Sequence, residues 1–150
     1  MFSVITLGSA LFFYMSWEKD NRIIAEFART LLGNGIIDVN SIDKLNGLVY
    51  KTQGFAQNKN YYLFQKLGPT PVQILAHGGD CSDKSRLVSA ILSEYDVRST
   101  LVMLHPCETC ASGHTVVEAE ATDGLIVVDP VYGFGLPKKS GGFYDLHALR

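Results

Sequence analysis

The chain has 150 residues, 47% of them apolar and 19% charged, with a formal net charge of -2. This is the size and composition of one globular domain with one core. No basic stripe runs along any segment, so the sequence carries no electrostatic footprint of nucleic-acid binding.

Residues Met1 to Trp17 (MFSVITLGSALFFYMSW) hold no charged side chain. The segment is just long enough to be a membrane-spanning candidate. Tyr14 and Trp17 near its end suit an interfacial aromatic belt. It lacks the basic start and the small-residue cleavage site of a removable signal peptide. Residues 1–17 therefore read as a membrane anchor or signal-type segment, with a buried core helix or strand as the alternative. Residues 18–150 read as a single domain. An anchor would make that domain membrane-bound or exported; a core element would leave it cytoplasmic.

After Trp17 the pattern turns amphipathic. Ile23, Ile24, Phe27, Leu31 and Leu32 recur at helical spacing, with Gly33 as a stop. Ser41 is expected to cap a second helix carrying Leu45, Leu48 and Val49 on one face. Residues 53 to 69 read as loop or extended chain with Phe55, Tyr61, Tyr62 and Phe64. Thr70-Pro71 opens a short helix, since proline suits the first helical position; it should end at Gly78-Gly79. Asp80 then caps a core helix, with Asp83 completing a carboxylate version of the capping box. Leu87, Val88, Ile91 and Leu92 continue it to about Glu94. Strands are expected over Val97–Leu104, His114–Ala121 and Leu125–Asp129. Helices followed by an antiparallel sheet make an α+β fold.

Cys81 sits in the first turn of that core helix. The macrodipole and the free amide N–H groups there favour an anion; Asp80 and Asp83 oppose it. A basic partner is needed, and the alternating strand supplies His114. Asp129, on the return strand, can hold the imidazole. Cys81, His114 and Asp129 form a nucleophile, base and orienter set. The set requires a particular hairpin register. A loop on Asp123-Gly124 puts Glu118 opposite Asp129 and His114 out of reach. A loop on Thr122-Asp123 puts Val116 opposite Asp129 and makes His114 its diagonal neighbour. The sequence allows both. His114 is further expected to point from the sheet face toward the Cys81 helix.

The stretches GGDCSDKSRLVSAIL and GHTVVEAEATDGLIVVDPVYG together resemble the core of the transglutaminase-like superfamily. The matching blocks are Gly79-Asp80-Cys81, His114-Thr115-Val116-Val117-Glu118 and Asp129-Pro130, within about residues 70–133. The resemblance implies a papain-like thiol fold, with the nucleophile helix packed on an antiparallel sheet. It implies Cys81 as nucleophile, His114 as base and Asp129 as the orienting acid, acting on protein or peptide amides without a cofactor. Val116 departs from the aromatic residue common two places after the histidine, a difference that bears on substrate preference. Water as acceptor would make a protease or amidase; an amine would make a transglutaminase. The alternative is an inactive member acting as a binding or scaffolding domain.

A competing pattern is HPCETCASGH. Cys107 and Cys110 form a zinc-type pair flanked by His105 and His114. That metal site would consume His114 and so excludes the triad. The pair also suits a disulfide, a redox dithiol or two idle thiols. Three cysteines, an odd number, leave at least one thiol free. Glu118 and Glu120 read as a solvated or cleft-rim face, and His77 and His147 as structural or surface residues.

Overall fold

The structure, a computed structural model, describes residues 2–52, 68–105, 113–136 and 142–147. Its helices are α1 (Phe2–Leu32), α2 (Val39–Lys51), α3 (Pro71–His77) and α4 (Cys81–Ser93). The strands β1 (Ser99–Leu104), β2 (His114–Ala121), β3 (Gly124–Asp129) and β4 (Phe134–Gly135) follow. They form one antiparallel sheet in the order β1-β2-β3-β4. The fold is α+β, as the order of patterns in the sequence implies. The expected loop over residues 53–69 falls almost wholly outside the described residues, as do Cys107 and Cys110.

α1 joins the apolar N-terminal segment and the amphipathic stretch into a single helix. Its second half packs on the body through Ile24 and Ala28, one turn apart and both buried. Gly33 ends it with φ of 70°, a conformation that costs glycine little. The Tyr95 hydroxyl sits 3.0 Å from Ala28 O and 2.6 Å from Gly33 O, tying the last carbonyls of α1 to the residue just past α4. Burial pushes that phenol's pKa up. Among the described residues no helix is long and apolar enough to cross a membrane.

α2 begins earlier than its pattern suggests. The cap is Asp38 rather than Ser41. Its Oδ1 accepts from both Ser41 N (2.8 Å) and Ser41 Oγ (2.6 Å), so the serine serves the cap instead of being it. These hydrogen bonds hold the Asp38 carboxyl below its usual pKa.

The sheet has two unlike faces. Val117, Ala119, Ile126 and Val128 join Leu87, Val88, Ile91 and Leu92 of α4, and Ile42, Leu45 and Val49 of α2, in the apolar core. The intervening residues of β2, namely His114, Val116, Glu118 and Glu120, occupy the face turned away from α4, because side chains alternate along a strand. That second face is partly covered by the C-terminal segment, where Leu146 N donates to Glu118 Oε1 (2.6 Å). Glu120 is exposed at the sheet's far end, near Arg98.

Candidate active site

The run Gly78 to Ser85 is built to start a helix at Cys81. Thr70 and Gln73 cap α3 reciprocally, and Gly78 ends that helix with φ of 75°. At Gly79 an added Cβ would lie 2.4 Å from Asp83 Cβ, so only glycine leaves room for the Asp83 side chain to fold back. That side chain accepts from Asp80 N (3.4 Å), while Asp80 Oδ1 accepts from Asp83 N (3.0 Å). This capping box makes Cys81 the first residue of α4. The thiol is half-buried and free.

Two basic residues on the next turn, outside the sequence-based candidate set, shape the surroundings of Cys81. Arg86 places Nη1 3.7 Å from Asp83 Oδ1 and donates through Nη2 to Pro69 O (2.6 Å). It offsets part of the negative charge that stands against an anion at Cys81. The i,i+3 spacing of Asp83 and Arg86 was a readable signal. Lys84 is only 2% exposed. Its ammonium donates to Tyr50 O (3.1 Å) in the last turn of α2 and lies 5.8 Å from the Tyr50 ring centre. Burial lowers its pKa. No local pattern distinguishes this lysine from a surface one.

The β2–β3 hairpin pairs Ala121 with Gly124 and Val117 with Val128. Its loop is therefore Thr122-Asp123, and one further step in register sets Val116 across from Asp129. His114 becomes the diagonal neighbour of Asp129, and the two side chains meet with Nε2 2.6 Å from Oδ2. Asp129 is 6% exposed. Its other oxygen, Oδ1, accepts from Val131 N (2.9 Å) and Tyr132 N (3.2 Å). One carboxylate thus holds both the imidazole and the turn through Pro130. With Nε2 engaged, Nδ1 is the ring nitrogen left for a second partner.

That turn brings aromatic residues to the imidazole. The Tyr132 ring centre lies 5.6 Å from that of His114, and Phe134 lies 6.2 Å beyond. Gly133 (φ 73°) lets the turn press against Tyr50; a Cβ there would come within 2.6 Å of the ring. The signal for this aromatic shelf is the run Val131-Tyr132-Gly133-Phe134, which follows directly on Asp129-Pro130.

A side-chain hydrogen bond joins the helix to the hairpin. Ser85, one turn after Cys81, donates through Oγ to Thr115 O (3.1 Å), the residue after His114. The expected orientation of His114 needs correction, however. The strand face that meets α4 carries Val117 and Ala119, whereas His114 alternates with Val116 on the other face. Any approach of the imidazole to Cys81 passes around the start of β2, not across the sheet. On the His114 face a cleft of about 450 Å³ is lined by Val102, Leu104, His105, Val116, Val127 and Leu146, among others. Among the described residues no group of three or more His, Cys, Asp or Glu could hold a metal ion. The alternative set of His105, Cys107, Cys110 and His114 lies partly outside them.

No protein-family profile matches the chain, and no curated protein matches it in sequence. The fold does match a crystal structure from Cytophaga hutchinsonii, of a protein assigned as a cysteine protease. The TM-score is 0.58 at 11% identity, over 76% of this chain and 38% of that one. The chain therefore spans well under half the length of that protein. At this identity the likeness is one of fold: the helices and the antiparallel sheet are arranged as in a cysteine-protease-like structure.

Proposed function

We propose that the chain carries a thiol acyl-transfer site of the transglutaminase-like, papain-fold kind, with Cys81 as nucleophile, His114 as base and Asp129 as the residue that orients it. The observation that carries this reading is the 2.6 Å contact between His114 Nε2 and Asp129 Oδ2, at the end of a strand hydrogen-bonded to the first turns of the Cys81 helix. Asp129 accepts from Nε2–H and fixes the tautomer with a lone pair on Nδ1. Nδ1 takes the proton from Cys81 Sγ as sulfur bonds to the carbonyl carbon of an amide. Backbone N–H groups at the start of α4 face the developing oxyanion. The C–N bond breaks, the leaving amine takes the proton from Nδ1, and a thioester remains on Cys81. Water or an amine then attacks the thioester and restores the thiol. The apolar cleft on the His114 face supports a protein or peptide substrate with aliphatic or aromatic side chains.

The test is labelling with a chloroacetamide at neutral pH, mapped by mass spectrometry, alongside turnover of peptide anilides with and without an added alkylamine. Cys81 is expected to label faster than Cys107 or Cys110, and anilide turnover to vanish in Cys81→Ala. Product mass then separates hydrolysis from transfer to the amine. A Cys81 that stays inert in the folded protein and reacts only after unfolding overturns the reading. So does turnover that survives Cys81→Ala.

A further inference from the structure

The first part of α1 has no counterpart in the site chemistry. Gly8 and residues 10–15 are all exposed, although five of them are large and apolar or aromatic. Phe12 is 65% exposed and Trp17 61%. Successive residues of an α-helix are about 100° apart around its axis. Leu11, Phe12, Phe13 and Tyr14 therefore point in four directions that together go all the way round.

This distribution limits what can cover the segment. A groove on another protein, or a second copy of this helix, buries one stripe and leaves the opposite side wet. A helix that is apolar on every side needs a surrounding apolar medium. The composition changes where the helix meets the body. No charged residue occurs through Trp17, and Glu18, Lys19, Asp20 and Arg22 follow at once, with Arg22 paired to Glu18. Tyr14 and Trp17, whose rings lie 6.1 Å apart, stand at that border. Aromatic rings with one polar atom favour the boundary between hydrocarbon and headgroups.

We infer that the N-terminal half of α1 inserts into a lipid bilayer, with Tyr14 and Trp17 at the interface and the domain held against the headgroups from Glu18 onward. At about 1.5 Å per residue, Phe2–Trp17 reaches about 24 Å, past the middle of a hydrocarbon layer about 30 Å thick but short of its far side. Where the helix leaves the body, a cleft of about 430 Å³ lies beside it, lined by Phe13, Trp17, Ile24, Pro71 and Val72, among others. That cleft continues the apolar surface to the first turn of α3. The inference is independent of the acyl-transfer reading.

Trp17 is the chain's only tryptophan, so its fluorescence reports on this border alone. The full chain is to be mixed with vesicles of phosphatidylcholine, and with vesicles also containing phosphatidylglycerol, then floated on a density gradient. It should float with both kinds and remain bound in high salt. Trp17 emission should shift to the blue and be quenched by lipids brominated along the acyl chain. Leu11→Asp, Phe12→Asp and Phe13→Asp, on three different sides, should each weaken binding by at least about tenfold, since an acidic side chain is costly in hydrocarbon. The quenching uses the unaltered protein and does not depend on these variants folding. Unshifted, unquenched Trp17 emission overturns the inference. Binding confined to anionic vesicles and lost in salt does so too. Sensitivity at one side only, with a dimeric mass in the absence of lipid, would assign the segment to a second copy instead.

Discussion

The two faces of the sheet differ in what fills them. On the α4 side, Val117, Ala119, Ile126 and Val128 join the apolar core, and every one is buried. On the other side, Val116 and Val127 are equally buried, but they share the face with His114, Glu118 and Asp129. There a polar group is present only with a partner: His114 with Asp129, Asp129 with two backbone N–H groups, Glu118 with Leu146 N. A buried polar group without such a partner is costly, so this face can hold chemistry only by specifying every bond. The first face holds the domain together, and the second holds the groups to which the proposed function assigns the chemistry.

The sharpest way to break this division is at His114. His114→Ala should lower turnover by about 10²–10⁴-fold, the range for loss of a general base, with little change in the urea midpoint. A large loss of stability in that variant would place the imidazole among the structural groups. Next in size, Ile126→Ala should cost about 2–5 kcal/mol, because it opens a cavity in a packed core. Chloroacetamide labelling of its folded fraction should persist. If both properties fall together, the faces are not separable.

Asp80→Ala tests the joint between the faces, since it removes the cap that starts α4 at Cys81. About 1 kcal/mol of stability should be lost, read by urea denaturation, with a drop in Cys81 labelling. The smallest effect concerns Lys84. Its pKa in the folded state lies below the unfolded value of 10.5. Between those two values the unfolded chain binds more protons, so stability rises with pH as the buried ammonium deprotonates. Lys84→Met should remove that alkaline rise, measured as the difference in urea midpoint between neutral pH and pH near 10.

Helices α3 and α4 and strand β2 were legible in the sequence because their signals are local. Thr70-Pro71 and Asp80 with Asp83 are capping patterns a few residues long, and β2 alternates over its whole length. The α2 cap lies three residues before Ser41; Asp38 and Ser41 are both good caps, and the sequence does not rank them. Only the geometry shows that the serine donates to the aspartate. The hairpin register was undecided for a different reason. Thr122-Asp123 and Asp123-Gly124 are both acceptable turn pairs. What accompanies the observed choice lies far away in the chain: Asp123 Oδ1 accepts from Val39 N (2.8 Å), and Thr122 N donates to Ile37 O (3.1 Å). The candidate site residues were legible as three blocks. The face on which His114 lies was not, because alternation says which residues share a side but not which side meets the helix.

Those two bonds at the hairpin tip have a practical consequence. An exposed two-residue turn is ordinarily where a tag, a fluorescent protein or new termini are grafted with least damage. Here Asp123 also supports the first N–H of α2, and Thr122 is fastened through both its backbone N–H and its hydroxyl to Ile37 O. An insertion at this tip would loosen the start of α2 and the segment leading into it. The exposed backbone at Asn34 and Gly35, just past the Gly33 carbonyl that Tyr95 holds and with open space around Gly35, is the better place to graft.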